Sequence, residues 1–89
     1  MGIYSDGNVY GLRLVLNDDI LFEERYDHKM TMIELQNVKK CYEMMTLEEK
    51  NAMNICFYTL CSTTYTTANS IMCWFPANKV LLEKLLNES

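Results

Sequence analysis

Apolar and polar residues alternate along VYGLRLVL at residues 9–16. Tyr10, Leu12, Leu14 and Leu16 fall on one side, and Val9, Gly11, Arg13 and Val15 on the other. A period of two is that of a strand, whose successive side chains point to opposite faces. The spacing therefore predicts a strand with Tyr10, Leu12, Leu14 and Leu16 facing a core. Upstream, Asp6-Gly7 stands between Ile3-Tyr4 and Val9-Tyr10. Asp-Gly suits a type I′ turn, because glycine accepts positive φ without steric cost, so a hairpin turn is expected at residues 6–7. Asn17-Asp18-Asp19 reads as a further turn. Residues 20–26 then alternate again, Ile20, Phe22, Glu24 and Tyr26 against Leu21, Glu23 and Arg25. The runs at 9–16 and 20–26 form a hairpin, with Arg13, Glu23 and Arg25 on its outer side beside Val9, Val15 and Leu21.

The period then changes. Thr31 and Glu34 make a capping box, in which threonine caps one amide and glutamate reaches back to another. Leu35, Val38, Tyr42 and Met45 follow at spacings of three and four, which predicts a helix over residues 32–45. Thr46 and Glu49 repeat the capping box ahead of a short helical turn at 47–52. Beyond it two periods compete. Met53, Cys56, Phe57 and Leu60 keep helical spacing, while Ile55, Phe57, Thr59, Cys61, Thr63 and Tyr65 form an unbroken alternate row. Residues 55–67 are mostly β-branched, aromatic, Cys or Ser, and summed propensity favours a strand over residues 54–66. Ala68-Asn69-Ser70 supplies a turn, and a short strand over 71–75 ends at Pro76, which has no N–H to donate to a ladder. Asn78 caps a last helix over 79–87, whose apolar face is Val80, Leu81, Leu82, Leu85 and Leu86.

The order ββαββα predicts an α+β two-layer sandwich: an antiparallel sheet of about four strands with two helices on one face. Residues 1–89 form one domain. So short a chain buries roughly 60–65% of the surface its unfolded form exposes, so a partner or a second copy would add to a small net stability. An apolar fraction of 49% with 22% charged residues excludes the composition of a disordered chain.

Charge narrows the function further. The net charge is −4, with acids at Asp18-Asp19, Glu23-Glu24 and Glu48-Glu49 and no dense run of bases. Direct nucleic-acid binding, which rests on a basic face that displaces counterions, is not expected. No apolar run approaches the ~20 residues of a membrane span. The first six residues, MGIYSD, carry no basic or apolar leader. The expected compartment is accordingly the reducing cytoplasm, with all four cysteines as free thiols.

Catalytic and metal chemistry find little support. Cys56 and Cys61 are five apart, which separates them on a strand and on a helix alike, so neither reading makes a local metal chelate. Only a non-local thiolate site joining Cys41, Cys61 and Cys73 would serve, and no metal or cofactor is expected. The one histidine, His28, lies in a polar connection and reads as a solvated loop residue. No GxSxG, GxGxxG or GxxxxGK[ST] is present. What remains is a small acidic, non-enzymatic module that binds another protein or itself. A viral or mobile-element accessory or inhibitor protein, or a subunit of a larger assembly, has this profile. Its candidate binding residues are Tyr58, Tyr65, Trp74, Asp18, Asp19, Glu23 and Glu24, because Trp and Tyr are enriched at interfaces. The alternative is a small-ligand binder or minimal enzyme using His28 and a cysteine near an aromatic pocket.

Overall fold

The computed structural model describes residues 4–61 and 71–87. Among these lie strands β1 (Tyr4–Leu16), β2 (Asp19–Arg25), β3 (Asn54–Cys61) and β4 (Ile71–Ala77), with helices α1 (Met32–Glu43), α2 (Leu47–Ala52) and α3 (Lys79–Asn87). The four strands make one antiparallel sheet in the order β2-β1-β3-β4. The two predicted hairpins are thus joined through β1 and β3. The β reading of the stretch beginning at Asn54 holds. The expected turn at Ala68-Asn69-Ser70, and the part of the predicted strand beyond residue 61, lie outside the described residues.

Three expectations are corrected. Asp6-Gly7 lies inside β1 and is not a hairpin turn. Across this segment the register against β3 moves from Tyr4↔Cys61 to Val9↔Thr59, so an irregularity in the ladder absorbs the extra length of β1. The tight turn is Asn17-Asp18, whose φ values of 52° and 67° are both left-handed, as a two-residue type I′ loop requires. Secondly, Val9 is buried and Tyr10 is not on the core side. Val9 pairs with Thr59 and Gly11 with Tyr58, so Tyr10 is an extra residue between them. A single extra residue exchanges the two faces of everything before it. Thirdly, β4 continues through Pro76 to Ala77. It is an edge strand, where proline's missing donor can face away from the ladder.

One face of the sheet carries the core. Leu12, Leu14, Ile55, Phe57 and Thr59 are fully or almost fully buried, against Met30, Leu35, Val38 and Tyr42 from α1 and the segment before it, and Leu82 and Leu86 from α3. The buried Thr59 hydroxyl donates to the Asn8 carbonyl and is satisfied by it. Both capping boxes form as predicted, Thr31 with Glu34 and Thr46 with Glu49. Asn78 Oδ1 accepts from Leu81 N at 2.9 Å. The helical layer is tied together by two polar contacts. Tyr42 Oη donates to Glu83 Oε2 at 2.5 Å, joining α1 to α3, and Lys79 Nζ donates to Asn51 Oδ1 at 2.8 Å, joining α3 to α2.

Candidate functional site

The sheet face away from the helices holds the residues that chemistry can use. Strand pairing places Arg25, Gly11, Tyr58 and Trp74 in one row across β2, β1, β3 and β4. The next row is Glu23, Arg13, Cys56 and Pro76. The side chains knit the two rows together. Arg13 Nε donates to Glu23 Oε1 at 2.8 Å, while the Arg13 guanidinium lies 4.1 Å from the centre of the Trp74 ring. The Arg25 guanidinium lies 5.4 Å from the centre of the Tyr58 ring. The Tyr58 and Trp74 rings meet at 5.1 Å between centroids, tilted by 51°. Cations over ring faces are attracted by the ring quadrupole, and tilted rings are a favoured aromatic pairing.

Gly11 lets this surface form. A Cβ at that position would stand 2.6 Å from the Glu24 carbonyl oxygen and 2.7 and 2.8 Å from Arg25 Cα and Cβ. Only glycine lets β2 come this close beside the bulge. A cleft of about 440 Å³ lies along the face, lined by Tyr10, Arg25, Tyr26, Asp27, Tyr58 and Met72. The bulge that turns Val9 inward is what makes Tyr10 available to it.

The seven residues singled out from the sequence are only partly brought together. Tyr58, Trp74 and Glu23 share this outer face. Asp18 and Asp19 sit exposed at the β1–β2 turn. Glu24 pairs with Leu12 and so takes the helix-side phase of the edge strand. Tyr65 lies outside the described residues. Sequence reasoning placed Arg13 and Arg25 on an outer side but did not join them to the aromatics. Their partners lie more than thirty residues away, and only the β1–β3 register sets them together.

His28 is held by neighbours of its own. Its Nδ1 lies 3.1 Å from Asp27 Oδ1, its Nε2 lies 3.1 Å from both Glu34 carboxylate oxygens, and its ring stacks on Tyr26 at 5.2 Å. The bonds to Asp27 and then Glu34 raise the imidazole above its ordinary range. Glu34 is held below the usual carboxylate range, chiefly by the Thr31 backbone N–H that completes the capping box. With both ring nitrogens engaged by carboxylates, His28 serves as a clamp from the β2–α1 connection to the first turn of α1. It is not aimed at Cys41 or Cys56, which are half-buried free thiols.

The fourth cysteine corrects another expectation, since Cys73 is disulfide-bonded and so cannot supply a thiolate. The free-thiol expectation was drawn from compartment alone, whereas strand pairing can bring thiols together whatever the leader. Among the described residues no group of three His, Cys, Asp or Glu side chains could hold a metal ion. None of the described helices is long and apolar enough to cross a membrane. No family model matches this chain, and neither a curated protein nor a solved structure shows significant similarity to it.

Proposed function

We propose that this protein is a small non-enzymatic protein-binding module that receives its partner on the outer face of the sheet. The observation that carries this reading is the composition of that face. Arg13, Arg25, Tyr58 and Trp74 stand in mutual contact there, with no described helix over them. Trp, Tyr and Arg are the residue types that dominate binding hot spots, where they fill desolvated pockets at the centre of an interface. They are also rigidly set, because each cation is braced by a ring and the rings by each other. Rigid anchors lose little side-chain entropy on docking. The opposite face is committed to the helices, so the two sides of the sheet divide stability from recognition.

Site-specific photo-crosslinking tests this. A photoreactive residue replaces Cys56, in the outer rows, or Lys84, on the exposed side of α3, in the cell that makes the protein. The reading expects discrete protein adducts from position 56, lost when Tyr58→Ala and Trp74→Ala are added. Adducts from position 84 alone, or adducts from 56 indifferent to those two substitutions, would count against it. Adducts of twice the chain mass would identify a second copy as the partner.

A further inference from the structure

The outer-face cleft has a chemistry of its own, and we infer that it binds an extended peptide segment presenting an acidic residue beside a bulky apolar one. This inference rests on the protein-binding reading above and names the kind of segment bound. The carboxylate would meet Arg25, and the apolar side chain would fill the space between Tyr10, Tyr58 and Met72.

Charge pairing separates the two arginines of the face. Arg13 already has its carboxylate, Glu23, at 2.8 Å. Arg25 is exposed, leans over the Tyr58 ring, and makes no ion pair with the described residues. A guanidinium presents a planar fork of donors that matches a carboxylate in two parallel hydrogen bonds, so an external carboxylate is the complement it lacks. Asp27 also lines the cleft, but its carboxylate is bonded to His28 Nδ1 and lies fully in solvent, and it makes no ion pair with Arg25.

The remaining lining is three tyrosine rings and a methionine, a surface that packs against either an aromatic or a branched aliphatic side chain. A volume of about 440 Å³ is within the range of roughly 300–1,000 Å³ typical of ligand pockets. It is room for a large side chain and its neighbour. The wider field disfavours a polyanion. The chain carries −4 overall, and on this face Asp27 lines the cleft and Glu23 stands in the next row beside Arg13. One carboxylate can be attracted at contact distance, whereas a strand of phosphates would meet those acids as well.

The test is selection from a phage-displayed library of random dodecapeptides on the immobilised full-length protein, with a single-stranded oligothymidine and benzoate titrated as separate probes. The expected result is enrichment of peptides that place Asp or Glu next to a bulky apolar residue. A synthetic peptide of that sequence should bind about tenfold more weakly to Arg25→Ala, as for truncation of an interface anchor. Arg25→Glu should instead select peptides bearing Lys or Arg. Arg25 is exposed, and circular dichroism melts of both variants will show that they fold. Enriched peptides without an acidic preference, or binding that ignores Arg25 yet disappears in Tyr58→Ala, would overturn this inference and leave the protein-binding face standing. Binding of the oligothymidine or of benzoate with no peptide enriched would overturn both.

Discussion

Gly11→Ala offers the sharpest check on how the outer face is built. The added Cβ meets backbone and Cβ atoms of β2 at 2.6–2.8 Å, where ordinary contact begins at 3.4 Å. Two of the three atoms met are main-chain, so no flexible side-chain tip can yield. The strands must part by roughly 0.6–0.8 Å, an overpacking strain that typically costs about 1–3 kcal/mol. Parting them also stretches the bond from Tyr26 N to the Tyr10 carbonyl, now 2.8 Å, whose loss adds about 0.5–1.5 kcal/mol. Against this, replacing glycine restricts the unfolded chain and returns about 0.4–1 kcal/mol. The balance is a destabilisation of about 0.5–4 kcal/mol. For a domain of this size each kcal/mol moves the melting temperature by about 4–8 °C, so differential scanning calorimetry should show a fall of at least about 2 °C. A variant within about 2 °C of the parent, or one more stable, would refute the close approach of β2 to β1. The same displacement carries Arg25, so peptide binding at the cleft should weaken along with stability.

Three further outcomes follow from the core and its polar ties. Phe57→Ala removes the largest fully buried side chain among the described residues and should cost about 3–5 kcal/mol, read as a fall in the urea midpoint at unchanged slope. Tyr42→Phe deletes only the hydroxyl that donates to Glu83 and should cost about 1 kcal/mol by the same measurement. In the parent, burial first and the Glu83 carboxylate second raise the Tyr42 phenol above its ordinary 10. Its contribution is therefore full below pH 10 and is lost as pH rises through the folded-state value, a loss that Tyr42→Phe should not show. The His28 clamp has its own window. His28 is raised above 6.5, so its contribution is full below that pH and disappears as pH rises through the folded value. Glu34 is lowered below 4.5, so its contribution is present above that pH and fades as pH falls through the folded value. The difference in melting temperature between parent and His28→Ala should therefore be greatest between about pH 5 and 6 and vanish under alkaline conditions. A difference that persists unchanged at pH 9 would show that the imidazolium is not what holds the connection.

Local patterns in the sequence determined the elements and their order. Both capping boxes and the Asn78 cap act over a few residues and formed where the chain spells them. Residues 20–25 formed a strand, but a register shift sets Ile20 opposite Val15 and Phe22 opposite Leu14, so the expected row of Ile20 with Phe22 is broken. The β-branched and aromatic run after Asn54 settled a strand against helical spacing, because propensity summed over a long window outweighs four matching positions. Tertiary structure decided what alternation alone does not carry. One extra residue at Tyr10 exchanged Val9 and Tyr10 between core and outer face, since a strand's side chains have a period of two and any insertion reverses their phase. Asp6-Gly7 has the dipeptide of a hairpin turn, yet the segment continues as one strand beside β3, and the turn formed at Asn17-Asp18. The outer face likewise depends on register. Arg13 and Arg25 gain ring partners from β3 and β4, and Asp18, Asp19 and Glu24 are left elsewhere, because pairing between distant strands fixes which side chains share a row. The sequence by itself determined most of the strands and helices, the segment around Asp6-Gly7 and the end of β4 excepted. The choice of face, and with it the cleft, came from how those segments were set against one another.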